Sequence, residues 1–269
     1  MMSVFHNKVV VITGGSEGIG KAMVDAFLSL GAKVATCGRS YDKLYQLQAA
    51  HPGKPLFIHA ADVSKEQDCA LFIEKVIKNF VTIDILINNA GVSMRSLLKD
   101  VELDALRKVM DINFWGTVYC TKFALPYIIA NKGSIVGVSS IAGFRGLPGR
   151  SGYSASKFAV NGWLEAIRTE LLDSGVNVMW VCPGFTASNI RVAALNSKGE
   201  SHGETPMDEG KMMSSEACAL HVIKAIEKRK RTLVLTSTGK QTVFMNKFFP
   251  SLADKLTRNF FYKNGELVK

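Results

Sequence analysis

The sequence predicts a single α/β domain built on a parallel sheet with helices over both faces. Three observations predict it. Short β-branched runs such as Lys8-Val9-Val10-Val11-Ile12-Thr13 are apolar at successive positions, which suits a strand covered on both sides. These runs alternate with amphipathic stretches of helical period, the pattern of parallel strands joined by crossover helices. The first run also passes through a glycine-rich turn directly into a helix. With 269 residues, 47% of them hydrophobic, the chain can bury a substantial core in one domain.

After the first strand, Gly14-Gly15-Ser16-Glu17-Gly18-Ile19-Gly20 opens a helical pattern through Ala22, Met23, Ala26, Phe27 and Leu30 that stops at Gly31. Strand, glycine turn and helix in this order build a phosphate site, because backbone N–H groups and the helix dipole face an anion and glycines let the backbone approach it. Thr13, Gly14, Ser16, Gly18, Ile19 and Gly20 are candidate cofactor-binding residues. A second strand at 33–37 ends at Gly38-Arg39-Ser40. In a dinucleotide fold an acid there would bind the adenosine ribose diol; Gly38 in its place, followed by Arg39, suits a 2′-phosphate and therefore NADPH. Glu17 would oppose that phosphate, so NADH stays open.

A third strand at 56–61 ends at Asp62-Val63, with Asp62 placed to meet the adenine amino group. An amphipathic helix over 65–79 follows, then a fourth strand at 83–87 that delivers Asn88-Asn89-Ala90-Gly91. One helix is predicted over 102–129. It carries Asn113, whose amide is tolerable in an interior only if it finds partners. A fifth strand at 133–138 presents Ser139-Ser140 at its carboxyl end, where open α/β sheets bind ligands.

Tyr153 and Lys157 stand four residues apart on the next helix, which continues to about Asp173 and stops at Gly175. Residues so spaced lie on one face. A tyrosine with its ordinary pKa of about 10 must come down by roughly three pH units, about 4 kcal/mol, to work as acid or base near neutrality. A lysine charge about 4 Å away at an effective dielectric of about 20 supplies that much. A sixth strand at 176–181 ends in Cys182-Pro183-Gly184. The polar stretch 197–211 reads as part of a substrate lid over about 186–213. Ser214 caps a helix to about Lys230, and 232–235 is a seventh strand.

The net charge of +10 is uneven: residues 1–210 hold 21 Lys+Arg against 19 Asp+Glu, whereas 211–269 hold 12 against 4. No reading motif accompanies it, so nucleic acid is not an expected partner. The N-terminus lacks a basic signal region, and no apolar run reaches about 18 residues. Five scattered cysteines without metal-ligand spacing point to reduced thiols, no metal, and a cytoplasmic protein.

As a set, Thr13-Gly14-x3-Gly18-x-Gly20, Asn88-Asn89-Ala90-Gly91, Asn113, Ser140, Tyr153-x3-Lys157 and Pro183-Gly184 resemble the motifs of the short-chain dehydrogenase/reductase family, over roughly residues 5–236. The resemblance implies a Rossmann-type doubly wound seven-stranded parallel sheet. It makes Tyr153 the general acid donating to a carbonyl oxygen as hydride arrives, and Ser140 the hydroxyl that polarises the carbonyl. Lys157 would bind the nicotinamide ribose and lower the Tyr153 pKa, and Asn113 would hold a linking water. It adds Val63, Asn89, Ala90, Gly91, Pro183 and Gly184 to the cofactor cradle, with Thr186 or Ser188 contacting the carboxamide. A homodimer or homotetramer is implied as well. The reading is thus an NADPH-dependent carbonyl reductase, with an NAD-dependent alcohol dehydrogenase or a silent dinucleotide-binding regulator as alternatives.

Catalytic-domain motifs end near residue 240, and 241–269 forms a C-terminal amphipathic extension. Phe244, Phe248, Phe249, Leu252, Leu256, Phe260 and Phe261 recur at helical spacing, interrupted by Pro250, beside Lys247, Lys255, Arg258 and Lys263. Such a face over 241–263 suits either peripheral contact with anionic lipid or packing on the body or a second subunit. The layout resembles, more weakly, the acyl-dihydroxyacetone-phosphate reductase branch, which implies a lipid or phosphorylated ketone. Of the arginines that follow motif residues, Arg95, Arg145, Arg150 and Arg191, the pair Arg145 and Arg150 between Ser140 and Tyr153 are the candidates for an anionic head group.

Overall fold

The computed structural model describes residues 3–203, 205, 210 and 212–268. Seven strands, β1 (Val9–Thr13), β2 (Lys33–Gly38), β3 (Leu56–Ala60), β4 (Ile85–Asn88), β5 (Ser134–Val138), β6 (Asn177–Cys182) and β7 (Thr232–Val234), form one parallel sheet in the order 3-2-1-4-5-6-7. The order reverses between β1 and β4, which leaves a crevice at their carboxyl ends.

The unbroken apolar runs are explained by two cores. Val9 and Val11 of β1 face one core with Leu86 of β4 and Val178 of β6, while Val10 and Ile12 face the other with Ile85, Ile87 and Met179. Successive side chains of a strand point to opposite faces, so a sheet covered on both sides needs every position apolar. The first core is closed by α3 (Glu66–Phe80), α4 (Leu103–Met110), α5 (Gly116–Ala130) and α6 (Ser151–Glu170). The second is closed by α1 (Gly18–Ser29) and α7 (Ser215–Glu227). A further helix, α2 (Tyr41–Ala49), follows β2 and is capped by the Ser40 hydroxyl accepting from the Lys43 N–H.

The predicted helix over 102–129 is interrupted. A π-helical turn, Asp111–Trp115, separates α4 from α5 and holds Asn113. The reason is tertiary: the Asn113 amide pairs with the backbone of Val92, and the widened turn sets it there.

The helix that leads into the C-terminal extension, α8 (Ser237–Phe248), starts where the Thr236 hydroxyl accepts from the Gly239 N–H. Pro250 marks the interruption between two helices: it occupies the first turn of α9 (Pro250–Phe261), where no donor is needed. A hairpin of β8 (Tyr262–Lys263) and β9 (Glu266–Leu267) ends the tail. Within the expected lid at 186–213, Thr186 bridges Met213, and Leu195 bridges Met94 and Ser201; residues 204, 206–209 and 211 lie outside the described residues. Among the described residues no helix is long and apolar enough to cross a membrane. All five cysteines are buried and free.

Candidate active site

One cavity of about 650 Å³ runs along the carboxyl ends of the sheet from the glycine turn to the tail. At one end lie Gly14, Ser16, Gly18, Ile19 and Gly20. Gly18 has φ +53°, a conformation costly for a side chain, and its turn aims the start of α1 at the cavity. No side chain caps that helix, so its first N–H groups remain available to an anion. Thr13 does not line the cavity. Its hydroxyl accepts from the backbone N–H of Asn89 and Ala90 at 3.0 Å, and the Asn89 amide donates to the carbonyls of Thr13 and Gly14 at 3.0 Å. These four bonds brace the glycine turn against the loop after β4.

Next along the wall come Gly38, Arg39, Ser40 and Lys43, then Asp62 and Val63. The Asp62 carboxylate accepts from the Ser64 N–H and hydroxyl, which fixes its orientation. Lys43 is a lining residue that the motifs do not include. Its ammonium sits 2.8 Å from Glu17, so the acid that would oppose a 2′-phosphate stands beside a cation. Its signal in the sequence is its place in the first turn of α2, one helical turn beyond Arg39. Glu17 also accepts from the Asn189 amide at 3.1 Å, tying the glycine turn to the loop after β6. Pro183, Gly184, Thr186 and Ser188 of that loop line the same cavity, as do Ala90 and Gly91.

The structure brings Ser140, Tyr153 and Lys157 to the middle of this wall and sets Asn113 behind them. The Tyr153 phenol lies beside the Ser140 side chain, which accepts from the Ala142 N–H. Ser139 is buried beside it, its hydroxyl donating to the Lys157 carbonyl at 3.4 Å. Asn113 is engaged: Oδ1 accepts from the Val92 N–H at 2.8 Å, while Nδ2 donates to the Val92 carbonyl and the Ser156 hydroxyl at 2.9 Å. A Cβ on Gly91 would stand 3.1 Å from Asn113 Oδ1 and 3.4 Å from Lys157 Nζ, so the pocket at the lysine is as tight as a hydrogen there allows.

The electrostatics do not follow from the four-residue spacing. Burial raises the Tyr153 phenol above its ordinary value. The opposing influences are the nearby Ser140 hydroxyl and the Arg150 and Arg191 guanidinium charges. Lys157 points instead to the Val138 carbonyl, 2.8 Å away, with its ammonium 5.8 Å from the Tyr153 ring centre. Burial pulls Lys157 itself down to about 8.

Arg150 lines the cavity beside Tyr153 and stacks on the Phe261 ring at 5.0 Å. Burial and repulsion from Arg95 and Arg191 lower it to about 10. Arg191 lines the same cavity, and the Arg95 charge is felt at Arg150 from outside it. Arg191 and Arg145, alike in the sequence, part company in the fold. Arg191 lines the cavity and donates to the Thr186 carbonyl at 2.6 Å. Arg145 is not a lining residue: its guanidinium bonds Asn246 at 2.9 Å and pairs with Asp254, so it clasps the tail.

A cradle of glycine backbone, an uncapped helix start and a Tyr-Ser-Lys group within one cavity match the results of comparison with known proteins. The sequence profile of short chain dehydrogenases matches residues 8–198. The chain belongs to the short-chain dehydrogenase/reductase family. It is 33% identical to dehydrogenase/reductase SDR family member 7B of Mus musculus over 255 residues, covering 92% of this chain and 79% of that one. It is also 33% identical to 11-beta-hydroxysteroid dehydrogenase A of Arachis hypogaea, covering 92% and 73%. Among solved structures, a short-chain dehydrogenase/reductase from Burkholderia phymatum in complex with NAD superposes with a TM-score of 0.82. Its identity is 23%, with 92% and 95% coverage, which speaks for the fold.

Lys157 makes the stability of this dehydrogenase/reductase depend on pH. Its value near 8 lies below the ordinary 10.5, so between those two pH values the unfolded chain binds more protons than the folded one and stability rises with pH. Below pH 8 the charge costs the fold about 3 kcal/mol. Lys157→Met removes that cost and forfeits the bond to Val138, worth about 1 kcal/mol. Denaturant unfolding at pH 7 should find the variant about 2 kcal/mol more stable, with the advantage gone by pH 10. Equal or lower stability at pH 7 would contradict this assignment.

Proposed function

We propose that this short-chain dehydrogenase/reductase is an NADPH-dependent reductase that converts a lipid-like or phosphorylated ketone to an alcohol. The observation carrying the reading is that Ser140, Tyr153 and Lys157 share the wall of one cavity that continues unbroken from the glycine turn to Arg150 and Arg191. Gly14, Ser16, Gly18, Ile19, Gly20, Asp62, Val63, Ala90, Gly91, Pro183, Gly184, Thr186 and Ser188 would hold the dinucleotide. Arg39 and Lys43 would receive its 2′-phosphate, and the Lys157 ammonium would meet a ribose hydroxyl. Bound there, the reduced nicotinamide supplies hydride to the carbonyl carbon.

The chain's own residues do the rest. Ser140 donates to the carbonyl oxygen and orients it, and Tyr153, whose raised value keeps it protonated at neutral pH, gives that oxygen its proton. Lys157 keeps a positive charge nearby as the phenolate forms. Asn113 positions the Val92 segment rather than touching the reacting atoms. Arg150 and Arg191 favour an anionic substituent on the substrate, and Ile141, Leu147, Leu256 and Phe260 supply apolar walls for a chain. The family habit of pairing subunits supports a homodimer or homotetramer.

The test is NADPH oxidation against ketones that differ in head group and chain length. Phosphorylated or carboxylated long-chain ketones should be consumed with at least tenfold higher kcat/KM than neutral ones, and Arg150→Gln should erase most of that margin. Cofactor binding with no ketone consumed would favour a silent regulator.

A further inference from the structure

The tail carries a surface that the reduction of a ketone does not explain. Phe249, just before α9, and Leu252, Leu256 and Phe260 on it recur at three- and four-residue steps, and on α8 Phe244 and Phe248 stand four residues apart. These six side chains are between 40 and 56% exposed. They form one strip. Phe244 lies 4.9 Å from Phe248 and 6.3 Å from Phe249, centre to centre, and at the other end Phe260 stacks on Phe185 at 6.0 Å. A strip of this kind on a water-exposed surface marks an interaction site.

Its charge narrows the partner. Residues 237–268 contain Lys240, Lys247, Lys255, Arg258 and Lys263 against only Asp254 and Glu266. Asp254 is already taken by Arg145. The Lys247 ammonium rides 5.4 Å above the Phe248 ring and Arg258 lies 5.7 Å from Tyr262, so cations flank the aromatic strip. Aromatic and leucine side chains rimmed by lysine and arginine are what an interfacial helix presents to anionic lipid. A second copy would bring the same cations face to face across a two-fold axis.

The strip also leads inward. Leu256 and Phe260 are exposed on it and line the cavity, beside Thr257 and Phe261. We infer that the outer face of α8 and α9 docks on an anionic bilayer with the cavity mouth against it, so that the ketone passes from the lipid phase to Tyr153. This rests on the proposed reduction of a lipid-like ketone for its purpose, and on the surface alone for its existence.

Co-sedimentation of the full chain with phosphatidylcholine vesicles, with and without phosphatidylserine, reads the docking directly. Vesicles with phosphatidylserine should retain the protein, with affinity falling at least tenfold in high salt. Phe248→Glu combined with Leu252→Glu should weaken retention at least tenfold while reduction of a small water-soluble ketone continues as in the wild type. Lys247→Glu with Lys255→Glu, at exposed positions, gives the same answer should the first pair fail to fold. Retention no greater with phosphatidylserine than without, or unchanged in both variants, overturns the inference. So does a dimer that the Phe248 and Leu252 changes convert to monomer with no vesicle retention in the wild type. A chain that sediments with anionic vesicles but reduces no ketone would remove the proposed reaction and leave the docking standing.

Discussion

Replacing Tyr153 by Phe should leave NADPH binding within a fewfold of the wild type and cut turnover by a factor of about 10²–10⁴, the usual contribution of a positioned general acid. The substitution removes one oxygen from a buried ring whose packing is otherwise unchanged. Ser140 keeps its bond from the Ala142 N–H, so the strand end should not move. Because burial holds the phenol above its ordinary value, the wild-type reductive rate should be flat through neutral pH and fall only as the phenol ionises. The reverse oxidation, which needs the ionised form, should rise over the same range. Stopped-flow measurement of hydride transfer beside fluorescence titration of NADPH separates chemistry from binding. Retained turnover in Tyr153→Phe would remove the acid from the mechanism proposed for it.

Gly38→Asp should reverse the proposed preference for NADPH. The carboxylate would stand beside Arg39 and Lys43 at the carboxyl end of β2, where it can accept from a ribose diol and repel a 2′-phosphate. Space permits it: a Cβ on Gly38 meets nothing closer than the Ser16 hydroxyl at 3.3 Å, and the backbone there is outside the left-handed region. Repulsion of about 3 kcal/mol corresponds to about a hundredfold loss in kcat/KM for NADPH relative to NADH. Steady-state kinetics with both nucleotides reads the ratio. An unchanged ratio would place the adenosine phosphate elsewhere.

How far the sequence could be read depended on where each residue's partner lay. The strands were legible because a two-sided sheet demands apolar residues at every position, and Val9 through Ile12 satisfy that without reference to anything distant. Tyr153 and Lys157 were legible as a pair because four residues on a helix make one face. Their electrostatic relation was not. It depends on the Val138 carbonyl that takes the lysine, and on Arg150 and Arg191, which reach the phenol from separate loops. Asn113 could be recognised as a polar residue needing partners. That the partner is the Val92 backbone, met through a π-helical turn, required the fold. Arg145 looked like Arg150 in the sequence and was separated from it only by Asn246 and Asp254 of the tail.

Hydrophobic period, the glycine turn and the spacing of the Tyr-Ser-Lys group belong to short stretches of chain, and from them the sequence alone determined the sheet and the family. The direction in which burial moves the phenol, the Lys43–Glu17 pair, the meeting of Arg150 and Arg191 at one cavity and the exposure of the tail's apolar strip were decided only in the tertiary structure. Burial and charge pairing act between segments far apart in sequence, and their strength exists only once the sheet and its loops have excluded the water between them.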